Sequence, residues 1–191
     1  MNLYEIIVRR RSIRRFRDIP VPYEVLERCV DAARLAPSGG NLQPGEYIIV
    51  DEEHLLDKVF GTLKWASDIS PRGDPPPAER PKAYIVLLVN RNVRAEGFEY
   101  DIGASIENIL LVALEEGIGS CCIGAIDRDK LREILKIPNN YTIVIVVALG
   151  YPNENPVVEE FEGSIKYWKD ESGTLHVPKR RLRDILHRNT F

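Results

Sequence analysis

The residues with the clearest chemical potential form a short basic segment near the N-terminus. Six arginines and one serine share nine consecutive positions, Arg9–Arg17, with no acidic residue among them. The whole chain, in contrast, carries a formal net charge of −3. Guanidinium groups and a hydroxyl offer several charge-assisted donors at once, which suits a phosphate. We therefore expect Arg10, Arg11 and Ser12 to hold an anion, with Arg14 nearby; an exposed basic turn is the alternative.

A second basic cluster lies near the other end of the chain, at Lys179-Arg180-Arg181. If the two ends of the chain meet, both clusters can share one phosphate; otherwise this one is a solvated tail. Arginine runs also occur in nucleic-acid-binding modules, whose affinity falls steeply with salt. The acidic balance and the lack of a basic face interleaved with aromatic residues argue against such a module. We expect no nucleic-acid partner.

Two glycine-containing segments could accept a planar ligand. The first, Pro37–Pro44, combines two glycines and two prolines with Ser38, Asn41 and Gln43, so it predicts a loop. Glycines there would let a ring approach the backbone, and the polar side chains supply donors and acceptors. The second, Ile123-Gly124-Ala125, could present bare backbone N–H groups to a heteroatom of a ring. For both segments, an ordinary connecting loop or tight turn is the alternative.

Nothing else in the sequence suggests catalytic chemistry by side chains. The three cysteines lack disulfide-framework spacing, and Cys121-Cys122 have no evident activating partner, so a catalytic thiol is not expected. The three histidines show neither metal nor triad spacing. We therefore predict no metal site. The chain begins without a signal-peptide pattern and has no apolar run long enough to cross a bilayer, which predicts a cytoplasmic protein with no membrane partner.

Apolar periodicity and breaker residues predict the elements that must position these groups. Residues 1–191 are expected to form one domain of α+β or α/β class around a central sheet. The predicted helices are Leu3 to about Arg9, Pro22 to about Ala36, Glu52 to about Phe60, Phe98 to about Glu116, Asp127 to about Leu135 and Asp184–His187. The predicted strands are Tyr47–Val50, Tyr84–Val89 and Thr142–Leu149. A hairpin around Asp170–Gly173 and an exposed loop over Gly61–Pro81 complete the prediction.

Five motifs occur in a fixed order along almost the whole chain. They are R-R-S-I-R-x-F from Arg10, A-P-S-G-G-N-x-Q-P from Ala36, D-I-G-A-S-x-x-N from Asp101, G-x-G-S-C-C-I-G from Gly117 and P-K-R-R-L from Pro178. In this order the chain resembles the nitroreductase-like family of flavin oxidoreductases. The resemblance implies an α+β, three-layer fold, with a central, mainly antiparallel sheet flanked by helices, in an intertwined homodimer. It also implies flavin mononucleotide (FMN) at the dimer interface, which the protein uses to pass hydride from NADH or NADPH to a nitroaromatic, quinone or similar acceptor by a ping-pong mechanism.

The resemblance implies a role for each candidate residue, while the flavin N5 and no side chain carries the chemistry. Arg10 and Ser12 would hold the flavin phosphate with Arg11 beside them, and Arg14 would face the N1–O2 edge of the ring. The remaining implied contacts are the phosphate ligands Lys179 and Arg181, the ring-edge donors around Ile123, Gly124 and Ala125, and the partner-subunit residues Pro37, Ser38, Gly39, Asn41 and Gln43.

The chain departs from the family pattern in its middle. Residues 61–81 are short and proline-rich, and match neither the polar pyrimidine contact nor the lid helix of larger relatives. Cys121-Cys122 also place small thiols where relatives often carry a bulkier aromatic. Relatives with the same fold perform reductive dehalogenation, flavin fragmentation or dehydrogenation of cyclic peptides, so a specialised flavin reaction is the alternative activity.

Overall fold

A four-stranded antiparallel sheet forms the centre of the computed structural model, which describes residues 2–66 and 73–191. Its strands follow the order β1-β2-β4-β3, so β2 and β4 are central. The four strands are β1 (Gly45–Val50), β2 (Ala83–Asn90), β3 (Gly119–Ile123) and β4 (Tyr141–Gly150). Five helices are described: α1 (Leu3–Arg9), α2 (Tyr23–Arg34), α3 (Glu53–Phe60), α4 (Glu99–Glu115) and α5 (Arg128–Leu135).

The helices cover both faces of the sheet. Side chains of β2 alternate between two cores, because successive residues of a strand point to opposite faces. Tyr84 and Val86 pack in the core under α3 and α5, whereas Ile85 and Leu87 pack in the core under α2 and α4. All four are fully buried. The predicted α+β fold with three layers and a central antiparallel sheet is thereby confirmed.

A smaller three-stranded sheet follows, composed of β5 (Val157–Glu160), β6 (Trp168–Lys169) and β7 (Leu175–Lys179). The predicted hairpin is β6–β7, and the Asp170 carboxylate closes its turn by accepting from Ser172 Oγ at 2.7 Å and Thr174 N at 2.8 Å. The Ser172 hydrogen bond is the main reason that the pKa of Asp170 falls to about 2. Strand β5 was not predicted, because its four residues lack an alternating pattern; it pairs with β7 in parallel.

Two local predictions were wrong. A short 3₁₀ turn at Leu182–Asp184 replaces the helix expected at Asp184–His187. The expected exposed loop over residues 61–81 lies partly outside the described residues, and its described flanks are exposed only in part. Leu63 and Trp65 are buried in the core beside α3, where the Trp65 ring stacks on Phe60 at 5.6 Å. Their apolar surface draws the chain back onto the sheet despite the prolines that follow.

The basic segment packs against the start of β3 and the end of β4. Ile13 N donates to Ser120 O at 2.9 Å, and Arg17 N donates to Tyr151 O at 2.8 Å. Ile13 and Phe16 point inward and are buried, so the arginines between and beside them point elsewhere.

Two glycines make this docking possible. Gly119 of β3 and Gly150 of β4 are cross-strand partners. A Cβ atom on Gly119 would lie 2.8 Å from Ile13, and one on Gly150 would lie 2.8 Å from Phe16. The glycine pair therefore leaves a bare patch of backbone into which the two side chains fit.

No helix among the residues described here is long and apolar enough to cross a membrane.

Substituting Gly119→Ala is expected to destabilise the protein, because the new methyl group collides with Ile13. Overpacking of this kind costs about 1–3 kcal/mol. Gly61→Ala is the matched control, since Gly61 has a φ of −66° and its Cβ would meet only ordinary contacts at 3.5 Å. Urea denaturation measures the free energy of unfolding of both variants; equal stability of Gly119→Ala and wild type would contradict the proposed docking.

Candidate functional site

The two basic clusters, far apart in sequence, meet at one cavity. Arg10, Arg11 and Ser12 line one side of it, and Lys179 at the end of β7 lines the other. The remaining described lining residues are Arg14, Tyr167 and Val177, so no acidic side chain faces the cavity. Four cations and a hydroxyl around one space match the donor set expected for a phosphate.

Neighbouring groups compensate only part of the positive charge of Arg10 and Arg11. Arg11 donates from Nη2 to Val8 O at 2.7 Å, and Arg10 Nε lies 3.5 Å from the carboxylate of Glu107, which is about half exposed. Desolvation and, next, the neighbouring charge of Arg10 lower the pKa of Arg11. A bound anion would relieve this repulsion.

Arg181 is not among the residues that line this cavity. Its Nε lies 3.0 Å from Oε2 of Glu160 on β5. Of the C-terminal basic cluster, the structure therefore places Lys179 against Arg10 and Ser12, and pairs Arg181 with a carboxylate of the smaller sheet.

A second cavity adjoins the first and shares Arg14 and Tyr167 with it. Its other described walls include Lys64 and Trp65 on one side and the end of β3 on the other. The residues Cys121, Cys122, Ile123, Gly124 and Ala125 all line it. The two cavities are thus neighbours, with Arg14 and Tyr167 between the cation cluster and the glycine turn.

The glycine turn is open on its cavity side. It lies between the end of β3 at Ile123 and the Asp127 cap of α5, whose side chain accepts from Lys130 N. No atom lies within 4 Å of the position that a Cβ of Gly124 would occupy. The carbonyl of Ala125 accepts a hydrogen bond from Lys64 N at 3.0 Å. Among the backbone hydrogen bonds of the described loops and turns, none is donated by the N–H of Gly124 or Ala125.

Arg14 is oriented by the C-terminal part of the chain. Its guanidinium lies over the Tyr167 ring at 5.0 Å, and its backbone N–H donates to the carboxylate of Glu154. The nearly buried Glu154 also lies 3.7 Å from Lys169 Nζ. Sequence reasoning missed Tyr167 and Glu154, because neither belongs to a motif and both reach Arg14 only through the fold.

The Pro37–Gln43 loop lies elsewhere in the same chain. Pro37, Ser38 and Gln43 line a separate cavity with residues of α2 and α4, and no residue of the loop lines either cavity described above. Within it, Gly39–Asn41 form a short 3₁₀ turn where no regular structure was expected. One chain therefore does not bring this loop to the basic cavity.

The D-I-G-A-S-x-x-N motif attaches α4 both to that loop and to the end of α2. Asp101 accepts from Gly39 N at 3.0 Å, Ser105 Oγ donates to Ala33 O at 3.1 Å, and Asn108 Nδ2 donates to Ala32 O at 2.8 Å. The three side chains lie on one helical face, four and three residues apart. Asp101 was not among the predicted site residues, although the motif contained it.

The two thiols beside the cavity are protonated at neutral pH. Burial raises the pKa of Cys121, and burial followed by the adjacent Cys121 raises the pKa of Cys122 to about 12. A thiolate, not a thiol, is the nucleophile. Neither cysteine is therefore activated as a nucleophile in this structure, and the absence of a catalytic thiol stays a prediction.

Comparison with known proteins gives consistent matches. A family model described as the nitroreductase family matches residues 7–151. A protein of Archaeoglobus fulgidus named as a candidate NADH dehydrogenase/NAD(P)H nitroreductase is 34% identical over 159 residues, covering 78% of this chain and 85% of the relative. An iodotyrosine deiodinase of Thermotoga neapolitana is 25% identical over 167 residues, covering 80% of this chain and 89% of its own length.

Solved structures match the fold over almost the full length. A structure described as an FMN-dependent nitroreductase from Clostridium difficile R20291 superposes with a TM-score of 0.68 at 26% identity, covering 97% of this chain and 98% of that one. The family match spans most of the chain, including the basic segment, the Pro37–Gln43 loop and the glycine turn. The chain belongs to the nitroreductase family and is an oxidoreductase.

Proposed function

We propose that the chain forms a single FMN-binding domain over residues 1–191 and works as a homodimer that transfers hydride from NADH or NADPH to a nitroaromatic, quinone or similar acceptor. Two neighbouring cavities, one lined by Arg10, Ser12 and Lys179 and the other by Gly124, with Arg14 shared between them, carry this proposal. Its charged end fits a phosphate and its open end fits a flat ring, which is the chemical division of FMN. The FMN-dependent relative supports the same cofactor.

At the charged end, Arg10, Ser12 and Lys179 bind the phosphate, with Arg11 alongside. Arginine suits this task because its planar fork presents several donors to phosphate oxygens. Arg181 joins them only when it leaves Glu160, with which it pairs in the structure. The absence of acidic groups among the described lining residues favours an anion there.

At the ring end, the residues of this chain supply orientation and charge. Bound FMN supplies hydride transfer at N5, which no side chain of the protein can perform. Arg14 faces the N1–O2 edge and stabilises negative charge there. Ile123, Gly124 and Ala125 would lie at the N5–O4 edge, where the backbone N–H groups of Gly124 and Ala125 would donate hydrogen bonds.

The position of the Pro37–Gln43 loop supports the proposed homodimer. In its own chain the loop lies apart from the basic cavity, so Pro37, Ser38, Gly39, Asn41 and Gln43 reach a flavin held by a second copy. Exposed apolar side chains support such an interface: Leu3 and Tyr4 on α1 are 64% and 74% exposed, and Leu186 near the C-terminus is 63% exposed. The reductant and the acceptor use the remaining open face in turn, which is ping-pong order.

A specialised reaction on the same cofactor is the second candidate, favoured by the iodotyrosine deiodinase relative. Reductive dehalogenation and nitro reduction differ in the acceptor and not in the cofactor cradle. An anaerobic screen of nitroaromatics, quinones and halogenated phenols, each with NADH or NADPH, separates the two. Turnover of a halogenated phenol without nitro reduction would favour the second candidate.

The proposed cofactor is tested by the spectrum of the purified protein. The protein, supplied with FMN, should be yellow, and its visible absorbance should bleach on anaerobic addition of NADH or NADPH. Adding an acceptor should restore the absorbance. A protein that binds no added FMN would contradict the proposal.

Arg10→Ala and Ser12→Ala are each expected to weaken FMN binding. Loss of one charge-assisted contact costs about 1.5–3 kcal/mol, or roughly ten- to a hundred-fold in affinity. Arg17→Ala is the matched control, because Arg17 lies in the same segment but is exposed and lines neither cavity. Fluorescence titration with FMN measures the dissociation constants; unchanged retention by Arg10→Ala would refute the phosphate assignment.

Arg14→Ala is expected to lower the flavin reduction potential, because the variant loses the positive charge that stabilises the reduced ring. A loss of about 1.5–3 kcal/mol corresponds to about 30–60 mV for a two-electron couple. Arg14→Lys keeps the charge and should stay closer to wild type. Anaerobic titration against reference dyes measures the potential, and an unchanged value in Arg14→Ala would place this residue away from the ring.

A further inference from the structure

A buried carboxylate on α4 takes no part in the cradle described so far. Asp101 is 8% exposed, and each of its oxygens has its own partner. Oδ1 accepts from the backbone N–H of Gly39 at 3.0 Å, and Oδ2 lies 3.0 Å from Nη1 of Arg94. Arg94 is fixed in turn, since its Nε donates to Glu96 O at 3.0 Å. Three segments of the chain thus meet at one carboxylate.

Gly39 and Arg94 interlock at this point. A Cβ on residue 39 would lie 2.6 Å from Nη1 of Arg94, so any side chain there displaces the guanidinium. The backbone of Gly39 is not in the left-handed region, unlike that of Gly40 at φ +60°. The glycine at position 39 therefore leaves space for the ion pair and does not serve a special turn conformation.

The residues that follow adopt a costly backbone. Asn41 and Gln43 have φ values of 54° and 51°, a region that costs roughly 1–2 kcal/mol for residues with a side chain. Within the loop, Ser38 Oγ accepts from Gln43 N at 3.0 Å, and Gln43 Nε2 donates to Asn41 O at 3.2 Å. Strained backbone of this kind persists only where its surroundings determine it. Asp101 supplies that anchor from the neighbouring helix.

We propose that Asp101 and Arg94 are a positioning pair, which sets the Gly39–Gln43 loop against the flavin bound by the other subunit. This inference rests on the proposed FMN site and dimer. Asp101 does not reach the basic cavity of its own chain, and it holds the N–H of Gly39, so the loop offers its exposed residues Asn41 and Leu42 to the ligand. The pair therefore acts on the site of the partner and not on its own.

The first test is FMN affinity. Asp101→Ala is expected to raise the dissociation constant for FMN by about tenfold or more, since losing a charge-assisted contact has effects of this size. Asp101→Asn keeps an oxygen for Gly39 N–H but loses the charge facing Arg94, so its effect should be smaller. Asp31→Ala is the control, because Asp31 pairs with Arg34 at 2.6 Å on the exposed face of α2. Wild-type affinity in Asp101→Ala would overturn the inference.

A heterodimer separates positioning of the partner site from a general structural role. One subunit carries Asp101→Ala and the other Arg10→Ala, with two affinity tags used to isolate the mixed dimer. One site then combines both defects, and the other has an intact phosphate cradle and an intact loop. At an FMN concentration that leaves both variant homodimers empty, the mixed dimer should bind one FMN.

A mixed dimer that binds no FMN would overturn the inference, because the loop would then serve its own subunit or Asp101 would be needed in both. Gly39→Ala repeats the test with Asp101 retained, since its new methyl group displaces Arg94; it should give the same single FMN. Urea denaturation of each variant verifies that the subunits are folded. If wild-type protein itself binds no FMN, the proposed function fails, and this result is distinct from the loss of complementation.

Discussion

The basic segment can present its arginines to a ligand only because Ile13 and Phe16 fit against bare backbone at Gly119 and Gly150. These two side chains anchor a stretch that would otherwise be repelled from itself by its own charge. Both side chains are buried against this glycine pair, so the arginines between and beside them face other surroundings. Packing of two apolar groups thus decides where the guanidinium groups lie.

The C-terminal region completes what this anchor begins. Tyr167 lies against the guanidinium of Arg14, and Glu154 accepts its backbone N–H. Lys179 reaches the same cavity from the end of β7. The smaller sheet therefore contributes lining residues to the cavities. Within it, Glu160 of β5 is the cross-strand partner of Lys179 of β7, and the same Glu160 forms the ion pair with Arg181. A change in the hairpin would move charges around the candidate phosphate site.

Much of the fold was predictable from periodicity, because β2, β4 and the five helices have apolar patterns long enough to identify. Short elements were not: β5 has four residues without alternation, and its pairing with β7 depends on contacts distant in sequence. Leu63 and Trp65 show why the exposed loop was predicted wrongly at its start. The prolines and glycines nearby indicate a loop, but the two apolar side chains pack in the core. In the candidate site, the motifs contained Arg10, Ser12 and Lys179, but Glu154 and Tyr167 carry no signal before the chain folds. Asp101 belongs to one of the sequence motifs, but its role could be inferred only from the structure, which places Gly39 beside it.

The location of Lys179 has a consequence for synthesis of the protein. The cation cluster joins Arg10 to Lys179, so it is incomplete until every strand of the central sheet has been synthesised. The central sheet, whose last strand ends at Gly150, can therefore form before a ligand has a complete cluster to bind. Ligand binding stabilises only the state that has the site. A cofactor can thus stabilise this chain after its central sheet has folded.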